Sequence, residues 1–174
     1  MANLADTPSN WLNLNFLTWQ PQNKAVTYYS PEWLTYYAVS SGPIKLKAYF
    51  EDGTSQTITI GSTAAGCAYT VNVQYASVSG RVGGYPTHFE VWAENGSGTR
   101  LTYIQRYYYS EPMSEDEQWF LFENSLGGLD TARCYGNTDF DGEHEHKLST
   151  ISGITSETRI NTKRNYSKNT GHLS

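Results

Sequence analysis

The stretch WFLFENSLGGLDTARCYG, residues 119–136, contains the residue types best suited to nucleophilic chemistry. A serine nucleophile needs Gly-x-Ser-x-Gly ahead of a helix, but Ser125 lacks the first glycine and a strand pattern follows it. A thiol nucleophile needs Cys134 partly exposed beside a histidine, and nothing in the sequence indicates such a pair. Gly127-Gly128 instead favours a chain reversal, so the sequence predicts a hairpin here and no catalytic residue.

A second group of reactive side chains lies in NTDFDGEHEHK, residues 137–147. The weak candidates for metal ligands are Asp139, Asp141, Glu143, His144 and His146. The three carboxylates alternate like oxygen ligands of a calcium loop, which Gly142 could tighten, but the remaining ligands of such a loop are missing. The two histidines could share a strand face and hold a transition metal, but no third ligand is identified. The alternative is an acidic turn before an exposed strand, and no cofactor is predicted.

Aromatic residues offer a third kind of site, because the sequence has 14 Tyr, 5 Trp and 6 Phe. Rings with apolar faces and polar edges could form a platform on which sugars stack. The candidate ligand-binding residues are Trp33, Tyr36, Trp92, Tyr103, Tyr107 and Tyr109. The alternative is that half of the rings fill the core and the others cover a subunit interface.

The elements that position these candidate residues are predicted from the strict alternation of apolar and polar residues, which indicates strands with one buried face. The clearest hairpin is PIKLKAYFEDGTSQTITIG, where Asp52-Gly53 supplies a tight turn. Eleven segments are predicted to be extended: LNFLTWQP, AVTYYSPEWLTYYAVS, the two arms of this hairpin, AYTVNVQYA, HFEVWAEN, TRLTYIQRYYYSE, QWFLFENS, DTARCYG, HEHKLST and ETRINTKRNYS. The segment SVSGRVGGYPT is predicted to be a loop. Trp119–Phe122 is apolar on both faces, which predicts a central strand.

The predicted fold is therefore all-β, an antiparallel β-sandwich of immunoglobulin-like architecture with a second, smaller β lobe packed on it. Pro112 and the following SEDE run mark the boundary. Residues 1–112 form the predicted sandwich, and residues 113–174 form a hairpin-rich lobe with a polar tail. Cys67 and Cys134 match no metal spacing and are expected to be small buried hydrophobes.

The charge of the chain argues against two classes of partner. A net charge of −5 and a pI of about 5.3 give no general attraction to nucleic acid or anionic lipid. The amino-terminal segment shows no secretory signal, and no segment is long enough to span a bilayer. Acidic residues crowd positions 111–145 and basic residues follow at 159–168, which fits either solvated surfaces or a complementary contact between subunits.

The segments FLFENSLGGLDTARCYG and NTKRNYSKNTGHLS resemble a family of uncharacterised proteins encoded by Bacteroidetes phages and prophages, as does FLTWQP near the amino terminus. The resemblance implies a virion-associated or tail-associated structural protein, and it brings no catalytic residues. Relatives continue beyond TGHLS, whereas this sequence stops at Ser174, so either this is a short member or a partner completes the terminal strand.

These observations predict a non-enzymatic subunit located in the virion, oligomeric and in contact with other virion or tail subunits. The alternative is a glycan-binding module whose exposed Tyr and Trp rings bind a surface polysaccharide.

Overall fold

The computed structural model describes residues 7–112, 115–151 and 154–169. The elements in chain order are α1 (Pro8–Leu14), β1 (Asn23–Val26), β2 (Trp33–Ala38), β3 (Gly42–Tyr49), β4 (Ser55–Thr63), β5 (Cys67–Asn72), α2 (Tyr75–Val82), β6 (His88–Ala93), β7 (Gln105–Tyr109), β8 (Gln118–Glu123), β9 (Leu129–Cys134), β10 (Thr138–Ile151) and β11 (Ile154–Lys168). The protein is all-β, as predicted, since strands dominate and the two helices are short. No described helix has the length and apolar character needed to cross a membrane.

The chain divides into two compact units. The first contains the described residues of 1–112 together with 119–132, and the second contains those of 113–118 and 133–174. The sequence analysis assigned residues 119–132 to the carboxy-terminal lobe, whereas in the structure they belong to the first unit. The reason is a set of hydrogen bonds from this segment to residues 17–32, described below.

The first unit is built on a sandwich of two sheets. One sheet has the strand order β1-β7-β6-β3-β4, and the other consists of β2 and β5. Neighbouring strands of the larger sheet are antiparallel except for β1, which pairs in parallel with β7. The order β7-β6-β3-β4 matches the G, F, C and C′ strands of an immunoglobulin-type sandwich.

Alternation along each strand sends one set of side chains between the sheets. Strand β3 shows the pattern directly, because Ile44, Leu46 and Ala48 are fully buried while Lys45 and Lys47 are not. Aromatic rings fill much of the remaining core volume, including Phe89 and Tyr107, whose ring centroids lie 5.0 Å apart.

The structure contains two short helices that the sequence analysis did not predict. Helix α1 begins after Thr7, whose hydroxyl accepts a hydrogen bond from the Asn10 backbone N–H, and the FLTWQP segment that follows it is irregular. Helix α2 starts at Tyr75, inside the predicted AYTVNVQYA strand, and ends at Gly83, which has a left-handed φ of 69°. The helix buries Tyr75, Val78 and Val82 at a spacing of three to four residues, a period that the strand interpretation overlooked.

Polar groups cross the outer face of the larger sheet in rows. The rings of Tyr49, His88 and Tyr108 stack across β3, β6 and β7, with centroid distances of 4.4 and 5.5 Å. In the next row Glu90 accepts hydrogen bonds from Tyr49 Oη at 2.9 Å and from Arg106 Nε at 2.8 Å. Cross-strand pairs of this kind fix the register of neighbouring strands.

The second unit contains the longest strands of the protein. Strands β10 and β11 pair in an antiparallel register that runs from Thr138 opposite Lys168 to Ile151 opposite Ile154. Lys168 Nζ donates to Thr138 Oγ1 at 2.9 Å and closes the open end of this two-stranded sheet. The segments HEHKLST and ETRINTKRNYS are thus strands, as predicted.

The two cysteines are free thiols with different surroundings. Cys134 is buried, as expected, but Cys67 is exposed, so the prediction for Cys67 was wrong. Cys67 is the first residue of β5, where the chain enters the strand from the surface turn at Gly66.

Replacement of Glu90 tests the row of hydrogen bonds on the outer face of the sheet, through the pH dependence of the free energy of unfolding. Burial alone raises the pKa of Glu90, but the hydrogen bonds from Arg106 and Tyr49 outweigh burial and lower it. The stability from these bonds is therefore present above the unfolded-state pKa and is lost as pH falls through the folded-state value. We expect Glu90→Gln to lower the unfolding free energy at pH 7 by about 1 kcal/mol, and to flatten its decline in acid. Urea denaturation between pH 3 and 7 measures both effects, with the exposed Glu51→Gln as control.

Candidate assembly surface

Strand β8 exposes large apolar side chains on both of its faces. Phe120, Leu121 and Phe122 retain 48%, 44% and 47% of their accessible surface. Successive side chains of a strand point to opposite faces, so both faces of β8 are only partly covered. The prediction of a central strand is wrong, because β8 pairs only with β9 in a two-stranded sheet within the described part of the chain. A strand that is apolar on both faces is usually buried between other elements. In this protein the first unit leaves β8 about half exposed.

The turn after β8 is the tight reversal that the glycine pair predicted. Asn124 Oδ1 accepts hydrogen bonds from the backbone N–H groups of Leu126 at 2.9 Å and Gly128 at 3.1 Å. Gly127 adopts a φ of 82°, a conformation that favours glycine. Ser125 lies in this turn, and its hydroxyl accepts a hydrogen bond from Trp19 Nε1 at 3.0 Å. The serine therefore holds the turn against residue 19.

The hairpin lies directly against the irregular segment after α1. Asn124 Nδ2 donates to the Leu17 carbonyl at 3.0 Å. A Cβ atom added at Gly128 would lie 1.9 Å from the same carbonyl oxygen, so only glycine permits this approach. Asp130, which is buried, accepts hydrogen bonds from Thr18 Oγ1 at 2.5 Å and from the Trp19 backbone N–H at 3.1 Å.

A buried ion pair joins the hairpin to the sandwich. Lys24 Nζ lies 2.8 Å from Glu32 Oε1, and the Glu32 side chain is completely buried. The Thr131 hydroxyl donates to Glu32 Oε1 at 2.8 Å and itself accepts a hydrogen bond from Lys24. Gln20 Oε1 accepts a further hydrogen bond from Lys24 at 2.7 Å. We call these four residues, Gln20, Lys24, Glu32 and Thr131, the polar clasp.

Burial dominates the electrostatics of the polar clasp. Loss of solvent raises the pKa of the Glu32 carboxyl, and the attraction to Lys24 and the hydrogen bond from Thr131 oppose that rise. Loss of solvent likewise lowers the pKa of the Lys24 amine, and Glu32 opposes that change. Each charge is tolerable inside the protein only because the other is present. The arrangement joins three chain segments, residues 20–24, residue 32 and residue 131, and its polar groups are occupied by one another.

The polar clasp also reaches β8. Lys24 Nζ lies 5.4 Å from the ring centroid of Trp119, within the range of a cation–π contact. One end of the β8–β9 hairpin is thereby held by buried charges, while Phe120 to Phe122 remain exposed. The arrangement presents a fixed strand with exposed apolar side chains, a feature that marks candidate protein–protein interaction sites.

The six aromatic residues predicted to form a sugar platform are not brought together. Tyr36 and Tyr107 are each 1% exposed and belong to the core, which corrects their assignment as binding residues. Alternation along a strand places each ring on one of its two faces but does not specify which face is solvated, and here both rings lie on the face that packs into the core. Trp33 and Trp92 are half-buried, whereas Tyr103 and Tyr109 are exposed. No ring contact among the described residues joins two members of this set.

The predicted metal ligands all fall within β10, which corrects the proposed loop geometry. The strand continues from Thr138 through Gly142 to Ile151, so Gly142 tightens no turn. Asp139, Asp141 and Glu143 are exposed, and among the described residues no three His, Cys, Asp or Glu side chains are grouped so that they could hold a metal ion. The side chains of His144 and His146 lie outside the described part of the structure.

Sequence analysis missed Lys24, Glu32 and Thr18 as functional positions. The available signal was Glu32 itself, a carboxylate placed at the start of the apolar run WLTYYA. A charged residue in such a position needs a buried partner, and its partner in space could not be identified from spacing alone.

Comparison with known proteins gives no family assignment: no protein-family model matches the chain, and no curated protein is detectably similar to it.

Replacement of Lys24 by Met tests the polar clasp. Glu32 would then be buried without a compensating charge, and we expect a loss of about 3–5 kcal/mol in the free energy of unfolding. Since burial raises the pKa of Glu32, that loss should shrink as pH falls towards the ordinary carboxyl pKa, where Glu32 becomes neutral. Lys24→Met/Glu32→Gln should be more stable than Lys24→Met alone at pH 7. Equal losses for Lys24→Met and the exposed control Lys163→Met, measured by urea denaturation, would contradict this account.

Replacement of Gly128 by Ala tests the close approach of the hairpin to Leu17. The added methyl group meets a backbone carbonyl that cannot rotate away, so we expect a loss of about 2–4 kcal/mol. The matched control is Gly80→Ala in helix α2, where a Cβ meets no atom within 4 Å. That control should be neutral or stabilising by up to about 1 kcal/mol. Thermal unfolding of the two variants gives the comparison.

Proposed function

We propose that this protein is a non-enzymatic structural subunit of a phage virion or tail, and that strand β8 is one of its assembly surfaces. The observation that carries the assembly part of the proposal is the exposure of Phe120, Leu121 and Phe122 on both faces of one strand. Large apolar side chains in a row stabilise a protein only when something covers them. The phage origin is supported by the resemblance of residues 120–136 and 161–174 to phage-encoded proteins.

A neighbouring subunit could cover β8 in a specific way. Strand β8 has a hydrogen-bonded neighbour, β9, on one side, so an extended segment of the partner could add to the other side. Backbone hydrogen bonds would then supply affinity, and pockets for Phe120 and Phe122 on one face and Leu121 on the other would supply specificity. An edge strand with exposed apolar side chains is otherwise an aggregation hazard, which a partner removes.

The hydrogen bonds that hold the β8–β9 hairpin support the same function energetically. A two-stranded sheet on its own is only marginally stable in water, so ordering it at the moment of binding would weaken the complex. Here Asp130, Thr131 and Asn124 already fix the hairpin against the first unit. The strand is thus presented in its binding conformation before the partner arrives.

Glycan binding, the alternative, receives less support from the structure. Two of its six residues, Tyr36 and Tyr107, are in the core, and no ring contact among the described residues joins two of the six. A sugar platform needs open ring faces side by side, and the stacked rings of Tyr49, His88 and Tyr108 bury their facing sides against one another.

Charge placed on β8 tests the assembly surface. We expect the wild-type protein to form multimers in size-exclusion chromatography with light scattering, or to join particles in the presence of its phage partners. Leu121→Lys and Phe122→Lys should each weaken this association by about a hundredfold or more, because a charge buried without a partner costs several kcal/mol and about 1.4 kcal/mol corresponds to a tenfold loss of affinity. The free energy of unfolding, measured by thermal denaturation, should change by less than about 1 kcal/mol, since both side chains are already half-exposed.

The matched control is Tyr103→Lys, which places the same charge at an exposed aromatic position outside β8. It should associate as the wild type does. Proteomic analysis of purified phage particles tests the virion assignment separately. Absence of the protein from mature particles, or association that survives both β8 variants, would contradict the proposal.

A further inference from the structure

Four segments of the first unit place tyrosine side chains around one cavity of about 330 Å³. Tyr28 comes from the connection between β1 and β2, Tyr75 from the first turn of α2, Tyr85 from the connection between α2 and β6, and Tyr109 from the end of β7. Glu51, in the turn between β3 and β4, supplies a carboxylate to the same wall. We call this set, Tyr28, Glu51, Tyr75, Tyr85 and Tyr109, the tyrosine cage.

The rings of the tyrosine cage enclose a space from several directions. Tyr28 and Tyr75 are 5.8 Å apart between ring centroids with an interplanar angle of 58°, and Tyr28 and Tyr85 are 6.4 Å apart at 41°. Tyr75 and Tyr109 are 4.6 Å apart at 36°. Rings tilted in this way do not form the flat surface on which a sugar stacks. They are suited to a rounded group that contacts more than one ring at a time.

The inner part of the cage is fixed and its mouth is open. Tyr75 is 2% exposed, and its hydroxyl donates to the Pro86 carbonyl at 2.8 Å. The backbone N–H of Ala76 donates to the Tyr28 carbonyl at 3.2 Å, which ties the β1–β2 connection to α2. Tyr85, in contrast, is 73% exposed. A ligand could therefore reach the buried ring from solvent past Tyr85 without local unfolding.

The electrostatics of the cage favour a positive ligand. None of the described residues that line it is Lys, Arg or His, whereas Glu51 is acidic. A second carboxylate, that of Glu111, accepts a hydrogen bond from Tyr109 Oη at 3.1 Å. Burial raises the pKa of Tyr75 to about 12, and the neighbouring tyrosines add to the rise, so this ring stays neutral at physiological pH. Neutral tyrosine rings present negative faces to a cation.

We propose that the tyrosine cage binds a quaternary ammonium group, the chemistry shared by choline headgroups and trimethylated lysine side chains. Such a group is round, apolar at its methyl surface and positively charged, which matches tilted ring faces beside one carboxylate. A primary ammonium fits less well, because it is compact and strongly hydrated, and would lose its water without regaining hydrogen bonds. This site does not depend on strand β8 and would add ligand recognition to the assembly function.

The decisive experiment compares choline with 3,3-dimethylbutan-1-ol, its neutral isostere, in which carbon replaces the charged nitrogen. Both are titrated into the full-length protein, with binding followed by amide chemical shifts or calorimetry. We expect choline to bind in the millimolar range, as befits a ligand of few heavy atoms, and the isostere to bind at least about tenfold more weakly. Equal binding of the two compounds, or no binding of choline at high millimolar concentration, overturns the proposal.

Two variants assign the binding to the tyrosine cage. Tyr85→Ala removes an exposed ring at the mouth, and Glu51→Gln removes the charge while keeping the size of the side chain; each should weaken choline binding about fivefold or more. Tyr103→Ala, an exposed tyrosine outside the cage, is the control and should leave binding unchanged. Choline binding that is unaffected by both cage variants overturns the assignment, as does tighter binding of methyl glycosides than of choline.

Phosphocholine and a trimethyllysine peptide then distinguish the source of the ligand. Preference for phosphocholine indicates a headgroup or a decorated polysaccharide, and preference for the peptide indicates a modified protein. Leu121→Lys should bind choline like the wild type. Failure of this site and failure of the assembly surface are therefore separate outcomes.

Discussion

The ion pair between Lys24 and Glu32 is the interaction on which the arrangement of the first unit depends. Glu32 is completely buried, so its charge is stable only with Lys24 and the Thr131 hydroxyl in place. Those three residues come from β1, from the segment before β2 and from β9. A strong penalty for leaving any of them unpaired means that the three segments assemble together, and the β8–β9 hairpin becomes part of the sandwich unit despite its distance in sequence.

A second set of hydrogen bonds joins two motifs of the sequence. FLTWQP and NSLGG with Asp130 and Thr131 contact each other directly, through the Leu17 carbonyl, the Trp19 side chain and the buried carboxylate of Asp130. Gly128 is required because backbone meets backbone there. The features that make this stretch resemble a reactive loop, a serine, an aspartate and a glycine pair, are those needed to fasten a hairpin. Its chemistry is hydrogen bonding within the fold.

The hydrogen bonds to residues 17–32 hold the hairpin in place, while Phe120, Leu121 and Phe122 of β8 remain about half exposed. The protein thus holds a half-exposed apolar strand in place, as the proposed assembly function requires, and such a strand is otherwise an aggregation hazard. The tyrosines show a similar division. Tyr36 and Tyr107 stabilise the core, while Tyr28, Tyr75, Tyr85 and Tyr109 meet at one end of the unit around a cavity that has a carboxylate in its wall. Aromatic abundance therefore serves at least two physical roles in one chain.

Local pattern by itself determined the strand-rich fold, the Asp52-Gly53 and Gly127-Gly128 reversals, and the buried residues of β3, because side-chain alternation and turn chemistry act over a few residues. It did not reveal helix α2, which was divided between a predicted strand and a predicted loop, or the exposure of β8. Tertiary structure alone decided which faces are covered, that Tyr107 is core while Tyr109 reaches a cavity, and that Glu32 meets Lys24 and Thr131. The physical reason is that burial and charge pairing depend on segments up to about a hundred residues apart, whose meeting no period in the sequence encodes.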